Sequence, residues 1–555
     1  MLNITLAQLN FTAGDVEGNL KKVLKVVKEF HKEAHLILFP ELALSGFPPW
    51  DLLLQKHFLE EVSKALKELI AKSKNYECLI AVGTPFYEFE LYNALAIIYK
   101  GKLLGVYKKR LLFNEAFEER RYFQSGKEPL LGKLNGYRLA FSVGEEVGRL
   151  EALSHVIINA SASPYYVGKY ERKEAVLKAR AMENNAFVVS VNLVGGQDEL
   201  VFDGRSLVID PKGNLIARGK AFEEDVFTVS LELERVDRSR LRNPRWKEVE
   251  ELNSSFSLLI RKEVPYKEGK LEDKLSGEEE VYKALTLALR DYTEKNGFKK
   301  VIVGLSGGID SSLVACIATD ALGKERVVGI YMPSEFSSKE SYEDASELAK
   351  NLGIEFHVVP ITNIFKAYLK DFEKELGKLS FDVADENLQA RIRANILFYF
   401  SNKFGYLVLC TSNKSEAAVG YGTIYGDIAG GFAPIKDVYK TLVYKLAKYR
   451  NSISKVIPER VFNKPPSAEL RPNQKDQDAL PPYEVLDEIL ALYIEEGLSP
   501  EEIIKRGFAK EDVYRTIYMI RVAEYKRKQA PVGPKITERA FGIDWNMPIT
   551  NRFRF

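Results

Sequence analysis

A glycine-rich turn with hydroxyl and carboxylate side chains lies between a predicted strand and a predicted helix. The segment is VIVGLSGGIDSSLVACIATDAL, in which Gly307 and Gly308 follow Ser306 and precede Asp310 and Ser311. Glycines let the backbone approach an anion, and free N–H groups at a helix N-terminus stabilise phosphate. A P-loop kinase would carry a lysine after the glycines, and none follows here. The turn predicts phosphate binding by backbone and hydroxyl groups, with Asp310 placed to hold a magnesium ion.

The run SGGIDSS after an apolar strand resembles the signature of the N-type ATP pyrophosphatases. The resemblance implies that ATP is split into AMP and pyrophosphate while a carboxylate or carbonyl oxygen is adenylated. The alternative is a glycine turn that only closes a tight strand–helix junction. On the first interpretation the ATP-binding residues of the loop are Gly304, Leu305, Ser306, Gly307, Gly308, Ile309, Asp310 and Ser311.

Four later segments resemble one family in that group, NAD synthetase. They are MPSEFSSKESYEDASELAKNLGI, DENLQARIRANILFYFSNKFG, TSNKSEAAVGYGTIYGD and KPPSAELRPNQKDQDALPPYEVLD, in family order across nearly all of residues 280 to 555. The resemblance implies that nicotinic acid adenine dinucleotide is adenylated by ATP and then attacked by ammonia. The products would be NAD, AMP and pyrophosphate, with ATP as a substrate and Mg²⁺ as the metal.

The segment TSNKSE follows the apolar strand GYLVLC, so its side chains emerge at the carboxyl end of a strand, where open α/β sheets bind ligands. By resemblance Thr411 contacts ATP, and Glu416 meets both the dinucleotide and a metal shared with Asp310. Asp427, in the YGD segment, would face the dinucleotide. A simple helix cap with an exposed glutamate is the alternative for TSNKSE.

The remaining predicted dinucleotide ligands lie on a helix and in a loop. Asn387 and Arg391 lie four residues apart on one helix face, where they can present donors to phosphates or to a carboxylate. Lys464, before PPSAEL, would bind phosphates or the adenylate. A solvated helix face and a loop lysine without a role are the alternatives. Asp476 is followed by Gln477 where the family often has Asp-Glu, which affects only the second carboxylate.

The first half of the chain resembles the nitrilase superfamily of amidases. FPELALSGFPPWDLL carries Glu41 as the general base, and VYKKRLLFNEAFEERRYFQSG carries the catalytic lysine as Lys109. By the same resemblance Tyr122, Ser163 and Lys169 match a glutamine-binding set. In glutamine-dependent NAD synthetases such a domain releases ammonia from glutamine and passes it through a tunnel. The alternative for each charged residue is an ordinary ion pair.

The third residue of the amidase triad should be a cysteine in a segment of the form I-C-E-D-x-W. Here that segment is Val143-Gly144-Glu145-Glu146-Val147-Gly148, so Gly144 stands in the cysteine position without a side chain. A glycine tolerates the sharp strand-to-helix elbow expected there, so the fold can persist without the nucleophile. Cys78 lies in the apolar run ECLIAVG, which is typical of a core thiol.

These observations favour an NAD synthetase that uses free ammonia and carries a degenerate glutaminase domain. A second hypothesis keeps glutamine as the donor, through an unexpected nucleophile or a separate glutaminase. A tRNA-modifying enzyme would need a basic RNA-binding surface or catalytic cysteine pairs, and a non-catalytic scaffold would not need an intact SGGIDSS loop.

The elements that must position these residues alternate between apolar strands and amphipathic helices. Short apolar runs separated by helical patterns at 18–33 and 55–73 predict an α/β sandwich over 1–240, of the nitrilase-like α-β-β-α type by resemblance. A charged connector is predicted at 241–280. Strands alternating with helices over 281–555 predict a doubly wound parallel sheet, in the ATP-pyrophosphatase domain.

The composition excludes several classes of partner. The net charge of the 555 residues is +2, which provides no electrostatic footprint for nucleic acid. No apolar run reaches the roughly 20 residues that span a membrane, and the N-terminus lacks a signal-peptide pattern. The three cysteines are far apart in apolar stretches, which indicates reduced thiols in a cytoplasmic protein. We expect small-molecule substrates and a homo-oligomer.

Overall fold

The computed structural model describes residues 1–150, 153–242, 254–275 and 277–553, which form two compact units. The first unit comprises Met1–Gln197 and Val201–Leu275, and the second comprises Asp198–Leu200 and Ser276–Phe555. Residues 243–253 and 276 of the predicted connector lie outside the described residues. Its described part contains a strand that belongs to the first unit and the start of a helix that belongs to the second.

The first unit is built on two large sheets, with β10 and β11 pairing as a small third sheet. Its strands are β1 (Leu2–Gln8), β2 (Leu36–Leu38), β3 (Leu79–Tyr87), β4 (Leu91–Tyr99), β5 (Lys102–Lys108), β6 (Leu131–Leu134), β7 (Tyr137–Val143), β8 (Val156–Ser161), β9 (Phe187–Asn192), β10 (Val194–Gln197), β11 (Leu200–Asp203), β12 (Leu207–Ile209), β13 (Leu215–Arg218), β14 (Asp225–Leu231) and β15 (Phe256–Leu258). One sheet has the order β14-β1-β2-β3-β4-β5, and the other has the order β13-β12-β9-β8-β7-β6-β15.

The inner faces of these two sheets form the main hydrophobic core of the first unit. Leu6, Leu38 and Ile97 of one sheet belong to the same buried cluster as Phe141 and Val189 of the other. When both faces of a sheet are covered, its strands have nearly continuous apolar sequences. Most strands of these two sheets have such sequences. The predicted α-β-β-α sandwich is confirmed.

Helices cover the outer faces of the sandwich. They are α1 (Val16–Phe30), α2 (Lys56–Lys72), α3 (Glu119–Tyr122), α4 (Lys169–Asn184) and α5 (Glu234–Leu241). In α1 the side chains of Val16, Leu20, Val23 and Val27 are buried, a spacing that places them on one helix face. Asp15 caps this helix by accepting a hydrogen bond from Gly18 N at 3.0 Å. Both helices predicted from periodicity in this half are therefore present, within a few residues of the predicted bounds.

The second unit contains a parallel sheet. Its strands are β16 (Val301–Gly304), β17 (Val327–Tyr331), β18 (Glu355–Val358) and β19 (Leu407–Leu409), in the order β18-β17-β16-β19. The chain moves outward from β16 to β17 and β18, and then returns to place β19 on the other side of β16. The strand order therefore reverses between β16 and β19, and the crevice at such a switch point is where open α/β sheets bind ligands.

Helices surround this sheet and continue the chain beyond it. They are α6 (Gly277–Lys295), α7 (Ile309–Leu322), α8 (Lys339–Leu352), α9 (Thr362–Leu376), α10 (Val383–Phe404), α11 (Lys414–Val419), α12 (Lys440–Ile453), α13 (Glu459–Asn463), α14 (Tyr483–Ile494), α15 (Pro500–Lys505), α16 (Lys510–Val522) and α17 (Glu524–Arg527). Side chains of α9 and α10, among them Phe365 and Ile392, pack with the sheet residues Ile302 and Val328. The doubly wound fold is as predicted. Among the described residues, no helix is both long and apolar enough to cross a membrane.

Candidate active sites

The predicted phosphate loop joins β16 to α7 at the switch point of the sheet. Gly307 has φ +76°, and a Cβ there would lie 2.5 Å from the carbonyl oxygen of Ser341, so only glycine fits. The hydroxyl of Ser306 accepts a hydrogen bond from Gly308 N at 3.2 Å and lies 3.1 Å from the hydroxyl of Ser311. The loop thus directs small polar groups and the N-terminus of a helix into the crevice, an arrangement suited to phosphate.

Asp310 and Glu416 are brought together by a buried lysine that the sequence analysis did not single out. The amine of Lys440 is paired with Asp310 Oδ2 and lies 3.2 Å from Glu416 Oε1. Asn413 donates a hydrogen bond to the other oxygen of Asp310 at 2.9 Å. Lys440 is 2% exposed. A lysine so deeply buried is stable only when paired, and here two carboxylates pair with it.

The charged side chains of this cluster shift each other's pKa values. Burial raises the pKa of Glu416 to about 8, with Asp310 and Asp476 adding to the rise and Lys440 opposing it. Burial lowers the pKa of Lys440, but the attraction of Asp310 and Glu416 outweighs it and raises that pKa above its ordinary value. Asp476 accepts a hydrogen bond from Tyr483 at 2.8 Å. The cluster therefore gathers three acidic side chains, Asp310, Glu416 and Asp476, around one fixed ammonium group.

Three of the predicted dinucleotide ligands converge on one short loop. The hydroxyl of Thr423 donates to Asn387 at 2.7 Å, and its backbone N–H donates to Asp427 at 2.7 Å. Arg391 donates to the carbonyl of Ile424 at 3.2 Å. Burial raises the pKa of Asp427. Asn387, Arg391 and Asp427 therefore form a second polar group in this unit, separate in their contacts from the Asp310–Glu416 cluster.

Lys464 lies beside the phosphate loop rather than beside the other predicted dinucleotide ligands. Its amine hydrogen-bonds the hydroxyl of Ser341, the residue whose backbone packs under Gly307, and it pairs with Glu469 at 2.9 Å. Thr411 is half-buried just past the end of β19. The contacts of Lys464 fit a phosphate-binding role more directly than contact with the rest of the dinucleotide.

In the first unit the predicted base and lysine form one buried network. Lys109 Nζ lies 2.9 Å from Glu41 Oε1 and 2.7 Å from Glu119 Oε1, and Asn93 donates to both carboxylates at 2.7 and 2.9 Å. Ala162 N donates to the second oxygen of Glu41 at 3.1 Å. The sequence alone indicates no role for Glu119 or Asn93, although Glu119 lies in the same segment as Lys109, VYKKRLLFNEAFEERRYFQSG.

The charges of this network stabilise the protonated lysine. Burial lowers the pKa of Lys109, but the attraction of Glu41 and Glu119 outweighs it and raises the pKa above its ordinary value. Burial raises the pKa of Glu119, and its proximity to Glu41 adds to that rise. The ammonium group is therefore retained across the neutral range, in position to stabilise negative charge on a bound group.

Gly144 directs its Cα toward this network. It directly follows β7 and has φ +65°, and a Cβ built there would lie 2.7 Å from Lys109 Nζ and 3.0 Å from Glu41 Oε2. Glu146 holds the elbow in place by accepting hydrogen bonds from Arg110 N at 2.9 Å and Val143 N at 2.9 Å. Position 144 therefore faces the base and the lysine, as the nucleophile position of an amidase must, and it carries no side chain.

Two of the three predicted glutamine-binding residues meet beside this elbow. Ser163 donates to Glu145 Oε1 at 2.6 Å, and the amine of Lys169 lies 3.5 Å from the same oxygen. Tyr122 instead donates to Asp51 at 2.7 Å. Burial raises the pKa of Tyr122 to about 12. Ser163 and Lys169 thus lie at the amidase-like site. Tyr122 ends α3, the helix that begins with Glu119 of the buried network, and its part in glutamine binding stays a prediction.

Comparison with known proteins identifies both units. The family model described as NAD synthase matches residues 281–530, and the model described as carbon-nitrogen hydrolase matches residues 3–241. The chain is 64% identical to a glutamine-dependent NAD(+) synthetase of Aquifex aeolicus strain VF5, with all of both chains covered. It is 49% identical to the enzyme of the same name from Thermotoga maritima, covering 100% of this chain and 99% of that protein.

Solved structures agree with this assignment. The glutamine-dependent NAD+ synthetase of Acinetobacter baumannii, in complex with ADP, is 36% identical, with a TM-score of 0.74 and coverage of 99% of this chain and 98% of that one. The synthetase of Cytophaga hutchinsonii, at 22% identity, has the same fold with a TM-score of 0.82 over 99% and 98% of the two chains. An amidase-type unit and a nucleotide-type unit in one chain, matched over their full length at these identities, show that the chain belongs to the glutamine-dependent NAD(+) synthetase family.

Proposed function

We propose that this enzyme makes NAD from nicotinic acid adenine dinucleotide with free ammonia and no longer hydrolyses glutamine. Its family membership makes it a carbon–nitrogen ligase of NAD synthesis that uses ATP as a substrate. The loss of the glutaminase step is our own inference. It depends on one observation, the glycine at position 144 opposite Lys109 and Glu41.

In the second unit the reaction has two steps. The carboxylate of nicotinic acid adenine dinucleotide attacks the α-phosphorus of ATP, and the bond to the pyrophosphate leaving group breaks. Ammonia then attacks the carbonyl carbon of the adenylate, loses a proton and displaces AMP. The glycine loop and the N-terminus of α7 hold the pyrophosphate, and Lys440 supplies a fixed positive charge beside it.

Mg²⁺ fits the donor chemistry of this site. Asp310 and Glu416 offer oxygen ligands on either side of Lys440, and Mg²⁺ typically takes one or two carboxylates together with substrate phosphates. Among the described residues no group of three or more His, Cys, Asp or Glu is arranged to hold a metal. A Mg²⁺ ion held by two carboxylates would take its other ligands from substrate phosphates and water. When bound, the ion would neutralise charge on the leaving pyrophosphate.

In the first unit, the absence of a thiol at position 144 removes the nucleophile that a cysteine amidase needs to cleave an amide. A cysteine amidase forms a covalent acyl intermediate, and that step divides amide cleavage into two easier reactions. Gly144 has no atom that can attack the amide. Cys78 is no substitute, because it is 1% exposed and burial raises its pKa to about 12. Glu145 is engaged by Ser163 and Lys169.

The competing hypothesis keeps glutamine as the nitrogen donor, through an unexpected nucleophile or a separate glutaminase. It is favoured by the name of the curated relatives and by the retained Glu41–Lys109 pair. The purified enzyme, supplied with ATP, Mg²⁺ and dinucleotide, should form NAD with ammonium chloride. With glutamine alone it should form none and release no glutamate. Glutamate release that matches NAD formation would contradict our proposal.

Two further expectations belong to this proposal. Several apolar side chains of α9 and the following residues are exposed, including Tyr368, Phe372, Leu376, Leu379 and Phe381. Exposed apolar surface of this kind is typical of an interface, which supports the predicted homo-oligomer. The predicted cytoplasmic location remains an expectation that rests on the three buried, unpaired cysteines.

A further inference from the structure

The segment from Lys464 to Asp476 contacts three parts of the second unit: the N-terminus of α8, helix α10 and the acidic cluster around Lys440. In the middle of the segment, Glu469 accepts hydrogen bonds from Ser338 and Ser341 at the N-terminus of α8, which lies under the phosphate loop. The carbonyl of the next residue, Leu470, accepts a hydrogen bond from the buried Gln389 of α10 at 2.9 Å. At the end of the segment, Asp476 joins the acidic cluster around Lys440. The segment is therefore built into the nucleotide site.

The carboxylate of Glu469 accepts four hydrogen bonds. Its Oε1 accepts from Ser341 Oγ at 2.7 Å, Ser338 Oγ at 3.0 Å and Lys464 Nζ at 2.9 Å, and its Oε2 accepts from Ser338 N at 3.3 Å. Burial raises the pKa of Glu469, but these hydrogen bonds and the lysine outweigh it and hold the pKa below its ordinary value. The carboxylate is thus charged at neutral pH and anchors both serines and the lysine.

The backbone at Glu469 is held in a conformation that its residue type rarely adopts. Its φ is +48°, in the left-handed region where a Cβ is disfavoured. Such a conformation persists only where the surroundings hold it, and such residues cluster at functional sites. Here the four hydrogen bonds to the side chain provide the restraint.

We propose that Glu469 is a positioning residue of the nucleotide site. It fixes the amine of Lys464 beside the phosphate loop, both by pairing with that amine directly and by holding the hydroxyl of Ser341, which also bonds it. Glu469 does not itself contact the reacting atoms in this assignment. The proposal rests on the proposed function through one residue, because it takes Lys464 to bind nucleotide phosphate.

The test compares Glu469→Gln with the parent in the full-length enzyme, using ATP, dinucleotide and saturating ammonium chloride. We expect the KM for ATP to rise about tenfold while kcat changes less than threefold. Glu469→Asp should recover part of the loss, because it keeps the charge and because aspartate tolerates a positive φ better than most residues. Glu343→Gln is the matched control. Glu343 lies on α8, as Ser341 does, and its carboxylate pairs with the exposed Arg460 of α13 at 3.0 Å. The kinetics of this variant should stay parental.

A double variant separates positioning from general support of the fold. If Glu469 acts through Lys464, then adding Glu469→Gln to Lys464→Met should leave the KM for ATP within twofold of Lys464→Met alone. Effects that multiply would overturn the proposal, and so would a parental KM in Glu469→Gln when Lys464→Met raises it. If Glu469→Gln does not fold, Ser341→Ala removes one donor and is judged by the same outcomes.

The same experiment distinguishes failure of the inference from failure of the proposed function. A parent that forms no NAD from ammonium chloride refutes the proposed function. ATP binding to the parent and to Glu469→Gln, measured by calorimetry, still tests the positioning role in that case. Equal ATP affinity in the two proteins would overturn it.

Discussion

The two units contain the same arrangement of charged side chains in different surroundings. In each, a buried lysine bridges two carboxylates: Lys109 joins Glu41 and Glu119, and Lys440 joins Asp310 and Glu416. In the second unit this arrangement lies beside a glycine loop and a helix N-terminus that can bind phosphate. In the first unit it faces Gly144, which has no reactive atom.

This difference shows that a buried charged residue can be needed for stability without taking part in catalysis. Removing one partner of a buried ion pair typically costs about 3–5 kcal/mol, because the other charge remains buried without compensation. Glu41, Lys109 and Glu119 therefore stabilise the first unit whether or not a nucleophile is present. An intact base–lysine pair is consequently weak support for an active amidase.

The largest expected effect lies in the second unit. Asp310→Asn should lower ammonium-dependent NAD formation by about 10²- to 10³-fold, the range found when a single preorganised electrostatic partner is removed. Asp320→Asn is the matched control on the same helix, since Asp320 pairs with Arg450 away from the loop. It should cost stability and leave turnover per folded molecule nearly parental. Near-parental turnover of Asp310→Asn at saturating Mg²⁺ would remove the loop from the mechanism.

The second prediction concerns a variant that places a thiol at position 144 of the first unit. Gly144→Cys should release glutamate from glutamine, whereas the parent and Gly144→Ala should not. Recovery should be partial, because φ +65° disfavours a Cβ by about 1–2 kcal/mol and the new Cβ would crowd Lys109. Mass spectrometry after treatment with a thiol-directed glutamine analogue should show labelling of Gly144→Cys alone. Labelling of the parent at Cys78 would mean that the nucleophile has moved.

The third prediction separates stability from activity within the first unit. Lys109→Met should destabilise the protein by about 3–5 kcal/mol in chemical denaturation, while ammonium-dependent turnover of the folded enzyme stays within a few-fold of the parent. Lys108→Met is the neighbouring control. Its pair with Glu88 is partly exposed, so it should cost at most about 1 kcal/mol. A large loss of turnover in folded Lys109→Met would show that the first unit still influences synthesis.

The smallest expected effect is the near absence of thiol chemistry in the parent. Burial raises the pKa of Cys78, Cys316 and Cys410 to about 12, so at pH 8 only about one thiol in 10⁴ is ionised. Iodoacetamide should therefore leave the native parent unmodified under conditions that modify all three cysteines in guanidinium. Rapid labelling of one cysteine in the native protein would identify an accessible thiolate and reopen the search for a nucleophile.

Sequence was sufficient where function depends on local order along the chain. The loop around Gly307 and Gly308 could be predicted because a strand, a glycine turn and a helix start follow one another directly. The elbow at Gly144 could be placed for the same reason, since it directly follows an apolar strand and precedes two carboxylates. The families of both units followed from such local segments.

Tertiary structure alone decided which distant residues complete each site. Lys440 lies 130 residues from Asp310, and in sequence it is one of several lysines on an amphipathic helix. Asn93 lies 52 residues from Glu41 in an apolar strand. A side chain's burial, its partners and therefore its charge state depend on which elements pack around it, and that packing is a property of the whole fold. For this reason the sequence identified the loop and the empty nucleophile position, whereas the lysine that joins Asp310 to Glu416 and the carboxylate that fixes Lys464 emerged only from the folded chain.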